Sequence, residues 1–153
     1  MGDRTRYEWR RDDYVVSTDA ARLDVDVVAS YLGTHSYWAR GIPREIVERS
    51  LAGSLCFGLY RGAPQVGFGR VVTDLATFAY LGDIFVLEAH RGRGLSKWLM
   101  ECILAHPELQ GLRRWMLATR DAHTLYERFG FRALAAPEKF MELHDPEVYG
   151  PRS

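Results

Sequence analysis

The sequence predicts a single α/β domain of the α+β type, with a mixed, mostly antiparallel sheet and helices on both faces. Three observations predict this class: closely spaced strand patterns between residues 55 and 86, a regular helix pattern after a glycine-rich turn, and a short apolar strand after that helix. Strands joined by short turns are antiparallel, whereas a strand–helix–strand crossover makes its two strands parallel neighbours. We therefore expect one central parallel pair in the sheet.

The individual elements follow from apolar periodicity, caps and turn residues. The clearest helix pattern runs from Leu95 to His106, where apolar residues recur every three or four positions and Pro107 ends the helix. By the same reasoning we expect helices at 23–32, 43–52, 95–106 and 122–129, and strands at 14–16, 55–60, 66–72, 77–86, 115–118, 131–134 and 140–143. The parallel pair is then 77–86 with 115–118.

Length and composition agree with one domain over residues 1–153. Hydrophobic residues make up 47% of the chain and charged residues 26%, which is a globular composition that needs no staple for its core. Residues 1–13 are rich in charge, and we expect them to form a loosely attached extension.

Charge and cysteine content exclude several classes of function. Twenty basic residues balance twenty acidic ones, which argues against nucleic-acid binding. No apolar run approaches the roughly 18 residues that span a bilayer, and the first residues lack the apolar core of a signal peptide. Cys56 and Cys102 are too few for a disulfide framework or a zinc site, so we expect a cytoplasmic protein without a metal.

The glycine-rich turn Arg91-Gly92-Arg93-Gly94 is the strongest candidate binding feature. Glycines allow close approach of a ligand, and the helix that follows presents unpaired amide groups and the positive end of its dipole. The two arginines add forked donors, so the turn could hold a diphosphate. The alternative is a turn with solvated arginines. The pattern is neither a Walker loop nor a complete dinucleotide fingerprint.

Two segments carry a resemblance to a known family: DIFVLEAHRGRGLS at 83–96 and LYERFGF at 125–131. Together they resemble the GNAT superfamily of N-acetyltransferases. The family turn reads Gln/Arg-x-x-Gly-x-Gly/Ala, and here only Ser96 departs from it. The family often has Asn seven residues before the tyrosine, where this chain has Thr119, a residue that can still cap the helix. Strong matching covers about residues 77–134.

The resemblance implies a GNAT-like domain whose central parallel strands splay apart at acetyl-coenzyme A as co-substrate. The diphosphate of acetyl-CoA would lie on the turn formed by Arg91, Gly92, Arg93, Gly94, Leu95 and Ser96. Its pantetheine arm would pair with the backbone of Phe85 and Val86, where the amides of splayed strands need other partners. Thr119 would lie at the same cofactor site.

Catalytic and acceptor residues are also implied by the resemblance. Tyr126 is the candidate general acid for the CoA thiolate, because a phenol with a pKa near 10 stays protonated at neutral pH; the alternative is a core tyrosine. Asp83 would attract or deprotonate the amine, or else form a salt bridge or turn cap. Tyr37 and Trp38 would shape the acceptor pocket, the alternative being ordinary packing.

These residues predict an N-acetyltransferase that moves acetyl directly to a primary amine of a small molecule or protein. A CoA-binding sensor or interaction module without turnover is the alternative, and a generic nucleotide binder is a third possibility. An open sheet edge and apolar C-terminal strands make a homodimer reasonable. We expect no nucleic-acid or membrane partner, and the sequence does not identify the acceptor.

Overall fold

The structure is a computed structural model and describes residues 4–150. These residues form a sheet of six strands: β1 Glu8–Arg11, β2 Tyr14–Ser17, β3 Leu55–Arg61, β4 Gln65–Thr73, β5 Phe78–Val86 and β6 Arg114–Leu117. The strands lie in the order β1-β2-β3-β4-β5-β6, and all neighbours are antiparallel except the parallel pair β5/β6. The predicted mixed, mostly antiparallel fold class is confirmed.

Within residues 4–150, four α-helices cover the sheet: α1 Val25–Ser30, α2 Arg44–Ala52, α3 Leu95–Ala105 and α4 His123–Glu127. The Asp24 carboxylate caps α1 by accepting from two backbone amides. A π-helical turn, Tyr31–His35, extends α1 past Gly33, where we expected it to end. None of the helices in the described part of the chain is long and apolar enough to cross a membrane.

Two apolar clusters bury the two faces of the sheet. One packs α3 against alternating strand residues such as Phe57 and Leu81, and the other packs α1 and α2 against Phe68 and Phe85. A Cβ built on Gly69 would lie 2.6 Å from Ile84 Cδ1 of the neighbouring strand and 3.0 Å from Ile103 Cδ1 of α3, so glycine at this position lets α3 pack closely on the sheet.

The parallel strands β5 and β6 separate halfway along β5. Their pairing runs from Phe78↔Arg114 to Leu81↔Leu117, and β5 then continues alone on that side to Val86. At the same point β5 carries a bulge against β4, and Asp83 takes a left-handed conformation with φ +56°. The result is a cleft between the carboxyl ends of two neighbouring strands.

Three expectations need correction. Residues 8–11, assigned to a loose extension, form β1 and pair with β2. Residues 131–134 and 140–143 form no strand. In the described residues β6 is the last strand of the sheet, yet neither segment pairs with its outer edge. The amide of Phe131 bonds back to the carbonyl of Tyr126, and the Phe140 ring contacts the Arg114 guanidinium of β6 at 4.8 Å through its side chain. Apolar alternation alone therefore did not make these segments strands.

Candidate active site

A cavity of about 600 Å³ opens where β5 and β6 separate. It brings together five of the predicted site residues, which come from three separate parts of the chain: Tyr37, Trp38, Asp83, Thr119 and Tyr126. Convergence of polar groups in one concave site is the usual mark of a binding or catalytic centre.

Tyr126 lies half-buried on α4 and faces this cavity. Burial raises the pKa of its phenol above the ordinary value near 10, and nearby Tyr37 and Asp121 act in the same direction. The phenol is therefore protonated at neutral pH. Thr119 does not cap α4 as we expected: its hydroxyl accepts from the amide of Ala122 (3.0 Å), which is itself the N-cap residue, and so orders the loop before the helix.

The carboxylate of Asp83 is held by two strong donors. Trp38 Nε1 donates to Oδ1 and Arg70 Nε donates to Oδ2, both at 2.7 Å. Arg70 in turn donates from Nη1 to the Ser54 hydroxyl at 3.0 Å. The Asp83 side chain is 10% exposed, so this ion pair is largely shielded from water. The geometry matches the salt-bridge alternative, while the carboxylate still borders the cavity.

Tyr37 joins the loop before α2 to the loop before α4. Its hydroxyl accepts from the Arg120 amide at 2.9 Å, and the Arg120 guanidinium lies 3.9 Å above its ring. The ring meets Trp38 edge-on at 5.1 Å. These aromatic side chains line the same cavity as Tyr126.

The glycine-rich turn lies beside the same cleft and opens α3. Gly94 is the N-cap of α3 with φ +73°, and Gly92 has φ +79°, so both need glycine's access to the left-handed region. A Cβ on Gly92 would meet nothing within 4 Å, which leaves space over the turn for a ligand. The first amides of α3 have no intrahelical acceptor. A cavity of about 230 Å³ lies against this turn and Leu125.

The Arg91 side chain braces the turn. Its Nε donates to the Val86 carbonyl at 2.9 Å, and Nη2 donates to the Tyr31 hydroxyl at 3.2 Å. The Tyr31 ring stacks on Phe85 at 4.0 Å. One carbonyl that we expected to face a carrier, that of Val86, is thus already engaged by the protein.

Sequence reasoning missed Arg70 and Arg120. The signal for Arg70 was present, since it is the single charged residue in the strand 66–72 and faces the equally unusual Asp83. Arg120 carried no such signal, because its contact to Tyr37 joins loops 83 residues apart.

The two cysteines lie outside this chemistry. Both are buried, and burial raises the pKa of each thiol to about 12, so neither supplies a thiolate at neutral pH. Within residues 4–150, no cluster of three or more His, Cys, Asp or Glu side chains could hold a metal ion.

The separated parallel strands and the glycine-opened helix are the features that the resemblance to acetyltransferases implied, and comparison with known proteins gives the family. The model of the acetyltransferase (GNAT) domain matches residues 52–133. The chain is 36% identical to a Gibberella zeae protein with the provisional name acetyltransferase FG08082, over 77% of this chain and 78% of the relative. The chain belongs to the GNAT family, as its two motifs suggested.

Solved structures agree with this assignment. A Xanthomonas campestris protein assigned to the GNAT family is 50% identical, with a TM-score of 0.88 over 90% of this chain and 97% of its own. A Clostridium acetobutylicum protein, designated an acetyltransferase by prediction and crystallised with acetyl-CoA, shares the fold at 12% identity. Its TM-score is 0.60 over 86% of this chain and 94% of its own.

Proposed function

We propose that this protein transfers an acetyl group from acetyl-CoA to a primary amine of a small molecule or protein. The observation that carries the proposal is the arrangement of the cleft. The Tyr126 phenol and the unpaired edge of β5 border the cavity of about 600 Å³, and the glycine-rich turn borders the cavity of about 230 Å³ that reaches the neighbouring residue Leu125. The distant relative crystallised with acetyl-CoA supports the choice of donor through the shared fold.

The donor would lie along β5. Its diphosphate would bind the amides of Gly92 to Lys97, where the α3 dipole favours negative charge. Its pantetheine arm would follow the β5 backbone after Leu81, because from that point the outer edge of β5 no longer pairs with β6. The Val86 carbonyl is held by Arg91, so we assign the backbone pairing to the residues that precede it.

The reaction needs a neutral amine, an oxyanion donor and a proton for the leaving sulfur. The amine nitrogen forms a bond to the acetyl carbon, and the carbon–sulfur bond breaks as the thiolate leaves. Tyr126 gives its phenolic proton to that sulfur. The product nitrogen loses a proton to water, and water returns a proton to the phenolate of Tyr126, which restores the phenol. A free backbone amide of β5 would stabilise the developing oxyanion.

We assign Asp83 to the acceptor amine. Arg70 and Trp38 each occupy one of its oxygens, but each oxygen keeps a further lone pair. A carboxylate fixed in this way attracts and orients an ammonium or amine at the cavity wall. Tyr37 and Trp38 beside it suit an acceptor whose amine is attached to an apolar or aromatic body.

A thiol-release assay with a panel of amines tests the function. We expect CoA release that depends on the amine, together with saturable binding of acetyl-CoA. Tight CoA binding without release from any amine would favour the non-catalytic module instead. Displacement of CoA by ATP would favour a nucleotide binder. The two free, buried cysteines fit the reducing cytoplasm, where we place this reaction.

We also propose a homodimer formed through the C-terminal segment, residues 139–145. Met141 is 99% exposed and Leu143 is 105% exposed, although the chain is fixed on both sides of them. Phe140 packs under Arg114, and the Tyr149 carbonyl lies 3.5 Å from a Cβ built on Gly41. Two apolar side chains on an anchored backbone are expected to be covered by a partner.

The residue pattern of this segment indicates that the partner is a second copy. Residues 140–145 are not helical, and Lys139 ends the 3-10 turn Pro137–Lys139. When Lys139 leaves that turn and the segment extends, Lys139, Met141, Leu143 and Asp145 share one face. Antiparallel pairing of two copies about Glu142 places each Met141 opposite the other Leu143. It also places each Lys139 opposite the other Asp145, so apolar and charged contacts are satisfied together.

A further inference from the structure

Three arginines from distant parts of the sequence meet at a second space beside the glycine-rich turn. This space, of about 210 Å³, shares no lining residue with the Tyr126 cavity. Arg11 ends β1, Arg61 ends β3, and Arg93 lies between the two glycines of the turn. Its lining consists of Arg11, Asp12, Asp13, Tyr14, Arg61, Arg93 and Leu95.

Arg11 reaches from the N-terminal hairpin to the turn itself. A Cβ built on Gly94 would lie 3.8 and 3.9 Å from its two Nη atoms, which is van der Waals contact. The guanidinium therefore lies next to the amides at the start of α3, where the diphosphate of acetyl-CoA would bind. This contact depends on β1, the strand that the sequence did not predict.

The charges around this space leave two arginines unpaired. Arg61 pairs with Asp13 at 3.8 Å and lies 5.7 Å from the centre of the Tyr14 ring. Neither Arg11 nor Arg93 has a carboxylate within 4.0 Å among residues 4–150. Asp12 is the remaining carboxylate, at the tip of the hairpin with φ +53°. A lone exposed arginine is ordinary, but two around one concave space create a positive potential.

We propose that Arg11 and Arg93 hold the 3′-phosphate of coenzyme A. This inference rests on the proposed function, because it places the diphosphate on the adjoining turn. The 3′-phosphate is on the same ribose that bears the diphosphate, so it must lie close by. A phosphate monoester carries nearly two negative charges at neutral pH and presents oxygens that match the forked guanidinium.

Such a subsite gives the protein a way to select its acetyl carrier. Dephospho-CoA and pantetheine carriers share the reactive thioester but lack the 3′-phosphate. Arg11 and Arg93 would favour free CoA over these carriers without any contact to the acetyl group. They would therefore determine donor specificity and leave the chemical step to the Tyr126 cavity.

Calorimetric titration with CoA and with dephospho-CoA tests the proposal. The titrations compare the unaltered protein with its Arg11→Gln and Arg93→Gln variants, and Arg10→Gln is the matched control. Arg10 is the neighbour of Arg11 on β1, pairs with Glu8 at 2.6 Å, and does not line this space. We expect the unaltered protein and Arg10→Gln to bind CoA about 10-fold or more tightly than dephospho-CoA. In Arg11→Gln and Arg93→Gln the preference should fall severalfold, while the affinity for dephospho-CoA stays constant.

The outcomes separate this inference from the function on which it rests. Equal affinity of the unaltered protein for the two ligands would overturn the 3′-phosphate subsite and leave acetyl-CoA as donor. Equal weakening of both ligands by Arg11→Gln would also overturn it, since the arginine would then hold the diphosphate. Failure to bind either ligand would refute the proposed function itself.

Discussion

Tyr126 combines two properties that a proton donor to sulfur needs. It borders the cavity of about 600 Å³ where β5 and β6 separate, and burial raises the pKa of its phenol, so the phenolic proton remains in place well into the basic range. The amine acceptor, in contrast, becomes reactive as pH rises and its ammonium form declines. Activity should therefore increase with pH through the neutral range, with no loss from Tyr126 ionisation until above pH 10.

Tyr126→Phe removes the proton and keeps the ring. We expect kcat to fall by about 10² or more while the Kd for CoA stays nearly unchanged, because general acid catalysis contributes about 10²–10⁴. Thiol release measures the first quantity and calorimetric titration the second. Tyr80→Phe is the matched control, since Tyr80 lines the same cavity on β5. Undiminished turnover in Tyr126→Phe would remove this residue from the chemical step.

At the scale of elements, the start of α3 depends on a glycine for two separable reasons. Gly94 has φ +73°, which strains any other residue, and a side chain there would point at the Arg11 guanidinium, 3.8 Å from its Cβ, in the space where we place the phosphates of the donor. Gly111 has nearly the same φ, +74°, with open space around it, but lies away from the cleft. It therefore isolates backbone strain from the loss of the binding surface.

Gly94→Val and Gly111→Val should lower stability by comparable amounts, on the order of 1–2 kcal/mol. Only Gly94→Val should lose CoA affinity, by about 10-fold or more, because its side chain would occupy the diphosphate position. Thermal melting and calorimetric titration measure the two effects. Normal CoA affinity in Gly94→Val would contradict the turn as diphosphate site, and equal losses in both variants would assign the effect to strain.

The end of α3 holds a buried histidine that links helix stability to pH. His106 is 1% exposed, accepts from the Glu108 amide at Nδ1 (3.1 Å), and meets the Tyr7 ring edge-on at 4.7 Å. Burial lowers the pKa of His106; Arg4 acts in the same direction and Glu108 opposes it. As pH falls, the unfolded chain therefore binds this proton before the folded chain does. The contribution of neutral His106 to the free energy of unfolding is fully present above about pH 6.5 and is lost as pH falls below that value.

His106→Gln should reduce the drop in Tm between pH 7.5 and pH 5. For a domain of this size, each kcal/mol lost from the free energy of unfolding lowers Tm by about 2–4 °C. His144→Gln is the control, since His144 is exposed on the C-terminal segment. Scanning calorimetry at the two pH values gives the comparison. If His106→Gln retains the full acid sensitivity, the carboxylates rather than His106 cause it.

Elements with a local signal, and the parallel pair that follows from the strand–helix–strand order, were predictable from the sequence. The pairing of a charged strand and the side-chain contacts between distant segments were not. The α3 helix appeared within one residue of its limits, because its apolar stripe and Pro107 are encoded locally. The strand β1 was missed because Glu8–Arg11 is charged and gains its order only by pairing with β2. In the cavity, Asp83 stood out as a carboxylate in an apolar strand and Tyr126 through its place in the family motif, while the Arg70 partner of Asp83 requires the β4/β5 register.

At the scale of the whole molecule, the balanced charge of the chain conceals local asymmetry. Equal numbers of acidic and basic residues give a net charge of zero. Nevertheless, Arg11 beside the glycine-rich turn and Arg93 within it have no carboxylate partner in the described residues. The C-terminal segment shows the same separation on a smaller scale, with Lys139 and Asp145 at opposite ends of an apolar centre. Recognition of CoA and of a second copy would therefore use different surfaces.

The self-complementary charges of that segment make the homodimer testable by charge exchange. Sedimentation velocity should show twice the chain mass for the unaltered protein at micromolar concentration, and a monomer for Leu143→Glu. Lys139→Asp or Asp145→Lys alone places like charges opposite each other and should weaken association about 10-fold. The double variant restores opposite charges and should regain most of the affinity. A monomeric unaltered protein would refute the dimer, and a double variant no tighter than the single ones would refute the antiparallel register about Glu142.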